Sequence, residues 1–366
     1  MLPFPAGNLV MIGVGCLLIY LAVVKRYEPL LLLPIGFGAI LVNVPYAELM
    51  KPGEGILWHI YNLGIVTELF PCLIFIGVGA MCDFGPLLER PWLLLLAVPS
   101  QMCIFITLIF ALLVGFKPLE AASIGIIGAM DGPTAIYVTS KHAPHMLGAV
   151  AVCAYSYIAS IPILQVPISK ALTTRKERLV RMRYEPRSYP KVIRILFPVV
   201  VTLITGIVAP MGTPLMGSLM LGNFMKESGV VERLRKTSEN ELNNIVTLLL
   251  GITIGGTMRA EEFLTIQTLL VFALGVVAFV LALTLGILSA KLAYLLTRGK
   301  INPLIGATAI SAFPMAARTA HLIARREDPD NWLLMHAIAC NTGGQIASVV
   351  AGGVILTYAP LLLGSP

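Results

Sequence analysis

Residues 124–136 read Ile124-Gly125-Ile126-Ile127-Gly128-Ala129-Met130-Asp131-Gly132-Pro133-Thr134-Ala135-Ile136, a lone acid inside an apolar run. On both sides the residues suit a membrane helix. Placing an ionisable group at bilayer depth costs at least ~2.5 kcal/mol, so such groups mark ion or proton paths. Pro133 has no N–H and disfavours helical geometry at Gly132, which breaks the helix beside the carboxylate. Irregular backbone at that depth persists only when buried in protein or lining a wet cavity. Asp131 therefore reads as the charge of a cation site in a discontinuous helix, with freed backbone carbonyls as further oxygen ligands. The plainer alternative is an N-cap for the helix that starts at Pro133, and the two roles are compatible.

Outward from this stretch, composition sets the class. The chain has 366 residues, 57% hydrophobic and 12% charged, with mean hydropathy +0.87. Soluble domains carry about 25% charged residues. The expectation is an all-α polytopic membrane protein. A span needs about 20 apolar residues. Long candidates are 7–24, 91–116, 147–169, 195–211, 263–296 and 332–358; shorter or interrupted ones are 30–45, 69–88, 120–141, 243–258 and 302–320. This implies about 10–11 membrane segments. Segments 46–65 and 212–242 are more polar and are expected at an interface or in re-entrant hairpins.

The net charge of +7 gathers in one loop, with Lys170, Arg175, Lys176, Arg178, Arg181, Arg183, Arg187, Lys191 and Arg194. Between apolar segments this reads as a cytoplasmic loop, 171–194, under the positive-inside rule, in preference to a nucleic-acid patch. No nucleic acid is expected. The cysteines form no CxxC pair, and the histidines are scattered. The first apolar run lacks a basic leader and reads as a retained helix.

The chain echoes itself. Gly79-Ala80-Met81 resembles Gly256-Thr257-Met258. Gly128-Ala129 precedes Asp131 as Gly306-Ala307 precedes Thr308, and Ile158-Ala159-Ser160 parallels Ile346-Ala347-Ser348. The same order in both halves suggests an inverted-repeat, transporter-like architecture with two discontinuous helices. Its parts would be an N-terminal repeat over 1–170, the basic loop over 171–194, and a C-terminal repeat over 195–366. The first break lies near Asp131 and the second helix is broken within 302–318. Transporters place their sites between such repeats; chance similarity of small-residue segments is the competing reading.

The second constellation is Lys300 to Arg318. Asn302 suits an N-cap before Pro303. On a continuous helix Gly306 shares the Asn302 face, while Ser311 and Arg318 share the opposite one. One face would serve a cation; the other pairs a hydroxyl with a planar guanidinium, which suits a carboxylate-bearing ligand. Arg318 reads alternatively as a snorkelling anchor at the membrane edge. Ala154-Tyr155-Ser156-Tyr157 places two phenols in an apolar helix, either lining a path or standing as interfacial aromatics. Cys340-Asn341-Thr342-Gly343-Gly344-Gln345 is a further polar interruption, offering neutral ligands or close packing.

At these residues the chain closely resembles the β subunit of the sodium-translocating, biotin-dependent decarboxylases of oxaloacetate, methylmalonyl-CoA or glutaconyl-CoA. The resemblance runs through 79–88, 125–140, 151–162, 223–241, 300–318 and 333–348, and its specific motifs are Asp131-Gly132-Pro133-Thr134-Ala135 and Asn302 to Arg318. Cys340 departs from the pattern, where a small residue or proline is expected. The resemblance implies a multi-pass protein of the inner (plasma) membrane of a prokaryote. It would decarboxylate carboxybiotin presented by a partner, with no biotin on this chain, and couple CO2 release and proton consumption to outward sodium transport. Implied partners are a carboxyltransferase subunit, a biotin-carrier subunit, a small membrane-anchor subunit and further copies of this chain. By the same resemblance Asp131, Asn302, Gly306 and Asn341 would serve sodium, Ser311 and Arg318 would bind and process carboxybiotin, and Tyr157 would join them in catalysis. The rival is a sodium/proton antiporter without a chemical step, which accounts for Asp131 and the repeats but less well for Ser311 and Arg318. A purely structural membrane anchor fits poorly with buried polar residues in two broken helices.

Overall fold

A computed structural model describes residues 5–184 and 189–363, so Arg187 of the basic loop lies outside the described residues. Among the described residues there is no strand. The long apolar runs become long helices: Ala6–Val23, Leu94–Val114, Leu147–Leu172, Lys191–Val208, Ile266–Leu296 and Leu334–Leu363. Six helices among the described residues are long and apolar enough to cross a bilayer, and a bent pair, Ile56–Val66 with Leu69–Met81, makes up to seven. The remaining segments are shorter helices that reach membrane depth only in combination.

These shorter helices pack in reciprocal fashion. Pro29–Val42 lies against Asn243–Gly256, and Leu69–Met81 lies against Thr213–Ser228. Glycine makes both contacts. A Cβ on Gly38 would sit 2.2 Å from the carbonyl of Ile252, and one on Gly255 2.1 Å from that of Ile35. At the other contact, a Cβ on Gly79 would sit 1.8 Å from the carbonyl of Leu219, and one on Gly222 2.1 Å from that of Ile76. Lipid supplies no hydrophobic drive between helices, so close backbone approach through small residues holds such pairs. This corrects the expectation for 212–242. Thr213–Ser228 is a packed helix, and the small and polar residues that lower its hydropathy are partly its contact surface.

Both broken segments are re-entrant hairpins that enter from opposite faces. Pro118–Gly125 and a 3-10 turn over Ile126–Ala129 run inward; Met130 takes a left-handed conformation (φ 54°), and Gly132–His142 runs back. The hairpin's two ends meet, since His145 Nε2 lies 3.1 Å from Glu120 Oε1. Eleven helical residues in the return arm span about 16 Å, roughly half the ~30 Å hydrocarbon core. The tip therefore reaches the middle of the membrane. The second hairpin comprises a 3-10 segment, Pro303–Thr308, an irregular tip over 309–314, and the helix Met315–Glu327. Its ends also meet: the Asn302 and Asn331 amides both donate to the carbonyls of Arg178 and Val180. At the tips, the Ser311 N–H donates to the Ala129 carbonyl at 3.3 Å.

The basic loop is partly a strap over the second hairpin. Arg178 Nη2 lies 2.8 Å from Glu327, Arg181 Nε 2.6 Å from Asp328, and Lys291 Nζ 3.4 Å from Glu177. The face carrying this strap is the basic face; Glu120 and His145 mark the opposite one.

Candidate functional site

The site is built where the hairpin tips cross. Asp131 caps Gly132–His142, as its sequence position suggests: Oδ1 accepts from the Thr134 N–H at 3.3 Å. Capping occupies one oxygen only. Oδ2 accepts from Gln345 Nε2 and Ser348 Oγ, each at 3.0 Å. The carboxylate is 4% exposed and has no cationic side chain paired with it among the described residues. Three neutral donors hold it, and none of them carries a charge that would offset an ionised form.

A cavity of about 210 Å³ reaches this carboxylate, lined by Glu28, Asp131, Tyr155, Asn243, Ser311 and Gln345 among others. Its outer end lies toward the basic face. Asn243 packs beside Gly77, near the Cys82 end of Leu69–Met81, and Lys226 Nζ bonds the Cys82 carbonyl at that end. The Glu28 carboxylate caps no helix N–H and forms no ion pair among the described residues. A carboxylate exposed to such a cavity raises the local cation concentration.

The remaining expected residues fall into separate places. Ser311 is at the crossing and lines the cavity, its hydroxyl bonded to the Gly344 carbonyl at 3.1 Å. Arg318 is exposed, one turn beyond the cavity-lining Met315 and on the same side of that helix. The chain reverses between Ser311 and Arg318, so the shared helix face read from the sequence is not what relates them. Asn302 sits at the base of the second hairpin. Its Oδ1 accepts from the Leu304 N–H and its Nδ2 holds the strap. Gly306 lets the hairpin touch Ile266–Leu296, since a Cβ there would lie 2.0 Å from the Gly286 carbonyl. Asn341 Nδ2 donates to the Ile310 carbonyl at 2.6 Å. Tyr157 donates its hydroxyl to the Phe272 carbonyl at 2.7 Å. Tyr155 lines the cavity, and its buried hydroxyl has no partner among the described residues. The Tyr155 ring lies against the hairpin tip, so a Cβ on Gly132 would fall 2.2 Å from Cε1.

Sequence reasoning passed over Gln345 and Ser348 as Asp131 partners. Their signal was present: Asn341, Gln345 and Ser348 recur at helical spacing and so mark a polar stripe along an apolar helix.

A buried acid with no paired cationic side chain among the described residues, set between two opposed re-entrant hairpins and open to one face through a cavity, defines a multi-pass membrane protein of the ion-translocating class. Residues 7–359 match the family described as the Na+-transporting oxaloacetate decarboxylase beta subunit. The chain is 48% identical to the glutaconyl-CoA decarboxylase subunit beta of Acidaminococcus fermentans, over 96% of this chain and 93% of that protein. It is 46% identical to the methylmalonyl-CoA decarboxylase subunit beta of Veillonella parvula, over 97% and 94%. With the oxaloacetate decarboxylase beta chain of Klebsiella pneumoniae it shares 43% identity, over 96% and 95%. The chain belongs to this family of sodium-transporting decarboxylase beta subunits. It is a membrane decarboxylase subunit coupled to sodium transport, and the antiporter reading is not favoured.

Proposed function

We propose that this subunit decarboxylates carboxybiotin carried by a separate biotin-carrier subunit, and that Asp131 binds the sodium ion whose outward passage the reaction drives. The observation that carries this reading is the Asp131 carboxylate, buried with neutral donors at the end of a cavity directed to the basic face. By the positive-inside rule that face is cytoplasmic in a prokaryotic inner membrane. Relatives named for three different acids share similar identity with the chain. Such a spread fits a step common to all three, with acid selection left to a carboxyltransferase partner.

Arg318, exposed beside the cavity and without an ion pair among the described residues, grips the carboxylate of carboxybiotin through a planar fork. Ser311, on the cavity wall at the tip, orients the head group. Leaving bulk water favours cleavage of the N–CO2 bond. The bond breaks to give CO2, its electron pair stays on the biotin nitrogen, and one proton is consumed there to give N–H. Sodium enters past Glu28, loses water to oxygen ligands at Asp131, Ser311 and neighbouring carbonyls, and leaves toward the opposite face as Asp131 takes up a proton. Asn302 and Gly306 serve the sodium site by holding the hairpin, and Tyr157 serves it by anchoring its helix. The opposed hairpins and reciprocal helix pairs support an inverted duplication over 1–170 and 195–366, with alternating access by movement of one half against the other. Further copies of this chain and a small membrane-anchor subunit complete the complex.

The test is reconstitution of the chain with its carboxyltransferase and biotin-carrier partners in sealed vesicles. Substrate-dependent sodium uptake that avidin abolishes is the expected result. Uptake driven by a pH gradient alone and indifferent to avidin would overturn it.

A further inference from the structure

A second cavity lies on the basic face, away from the hairpin tips. It occupies about 420 Å³ between the strap, at Lys176 and Leu179, and the C-terminal end of Ile266–Leu296, at Tyr294, Leu295 and Arg298. Lys291, Tyr294, Leu295 and Arg298 recur at helical spacing, so one side of that helix faces the strap for two turns. Lys291 is committed there: its Nζ pairs with Glu177 at 3.4 Å and donates to the Leu172 carbonyl at 3.0 Å. Lys176 and Arg298 are not committed. Both are exposed, neither has an ion pair among the described residues, and no acid lines the cavity.

Two cations around one concavity repel each other, and a shared anion offsets that repulsion. The helix below them narrows the choice of anion. Leu288, Leu292 and Leu295 follow at spacings of four and three residues and are 47%, 58% and 68% exposed. This apolar stripe runs from the cavity toward the membrane interior. A ligand that meets both features carries negative charge at one end and hydrocarbon at the other. Free phosphate satisfies the cations and leaves the leucines unmatched. A phospholipid sets its phosphate at the membrane surface and its chains beside the helix. Basic pockets on the cytoplasmic side of membrane helices hold anionic head groups in this way. Tyr294, one turn beyond Lys291, stands where phenols favour the head-group layer.

We propose that this cavity binds an anionic phospholipid, with the phosphate between Lys176 and Arg298 and an acyl chain along Leu288, Leu292 and Leu295. Lys176 belongs to the strap and Arg298 to the end of a membrane helix. The lipid therefore bridges the two elements that Glu177 and Lys291 already join, and tightens the strap over the second hairpin.

Native mass spectrometry of the purified full-length chain, released from nanodiscs holding equal parts of phosphatidylglycerol and phosphatidylcholine, reads the lipid retained. The wild type should keep phosphatidylglycerol in preference to phosphatidylcholine. Lys176→Gln combined with Arg298→Gln should weaken that retention roughly 10–30-fold. Arg233→Gln combined with Arg326→Gln removes equal charge elsewhere on the same face and should leave it unchanged. Phosphatidylglycerol should also slow tryptic cleavage at Arg175 several-fold in the wild type, and not in the Lys176→Gln, Arg298→Gln chain. Equal retention of the two lipids by the wild type would overturn the proposal, as would equal losses in the two double variants. Protection of Arg175 by inorganic phosphate without lipid would mean a free-anion site and overturn the phospholipid.

Discussion

The two hairpins reach the same depth with opposite chemistry. The first ends in a carboxylate whose oxygens accept from Thr134, Gln345 and Ser348. The second ends in uncharged groups, the carbonyls of Ala309 and Ile310 and the Ser311 hydroxyl, held by Gln101, Asn341 and Gly344. A single charge at the crossing is a physical economy. Two carboxylates there would repel in a low dielectric and hold a proton between them. One carboxylate with neutral oxygens opposite binds a monovalent cation with little net charge left over. The difference teaches that the two tips, though they meet, are chemically unlike, one carrying a carboxylate and the other only neutral oxygens.

That contrast can be broken at its strongest point. Asp131→Asn keeps size and loses charge; sodium-dependent decarboxylation and transport should both fall more than ~100-fold, as for a charged partner removed from a desolvated pair. Coupled activity near the wild-type level would mean that the first tip does not supply the charge. On the second hairpin, Gly306→Ala forces a Cβ toward the Gly286 carbonyl, so the detergent-solubilised protein should lose about 1–3 kcal/mol in denaturant unfolding. An unchanged midpoint would show that the hairpin is free to shift. Arg318→Lys retains charge and loses the fork. Decarboxylation should drop ~10-fold while equilibrium sodium binding stays intact, separating chemistry from cation binding. Equal losses in both would place Arg318 within the sodium site.

Two smaller effects sharpen the picture. Glu28→Gln should raise the sodium concentration for half-maximal activity roughly 2–5-fold at low ionic strength, with the difference closing at high salt as screening takes over. A salt-independent change would point to direct ligation. At the strap, hydrogen bonding to Arg178 holds the Glu327 carboxyl below its ordinary value of 4.5. Stability from that pair is therefore complete above the ordinary value and is lost as pH falls through the lowered one. Glu327→Gln should mimic the acid state at neutral pH, giving a several-fold faster tryptic cut at Arg175 or Lys176. Unchanged cleavage would mean that Arg181 and Asp328 suffice to hold the strap.

Much of this was legible in the chain. Each of the six long apolar runs became a helix within a few residues of its expected bounds, because length and hydropathy are local properties that the bilayer enforces. A break beside Asp131 and one before Pro314 were legible because proline acts on its own neighbours, but the first falls at Met130-Asp131, and Gly132-Pro133, expected to be non-helical, instead open the return helix. Direction was not. Whether a broken segment crosses or turns back depends on Glu120 meeting His145 and Asn302 meeting Asn331 across the strap, contacts between residues far apart in sequence. The packed character of Thr213–Ser228 was hidden because glycine reads as weak helix until its partner backbone is known.

The sequence by itself determined that the protein crosses a membrane, that an acid lies at mid-depth beside a break, and which family its motifs resemble, because each of these rests on residue type and near spacing. Only the tertiary structure decided which oxygens are spent and which remain. It ties Asn302 and Tyr157 into hydrogen bonds, brings Gln345 and Ser348 to Asp131, and leaves the amide oxygens of Gln101 and Asn341 without a donor among the described residues. Hydrogen-bond capacity is a property of each side chain, but whether it is satisfied depends on which distant backbone folds against it.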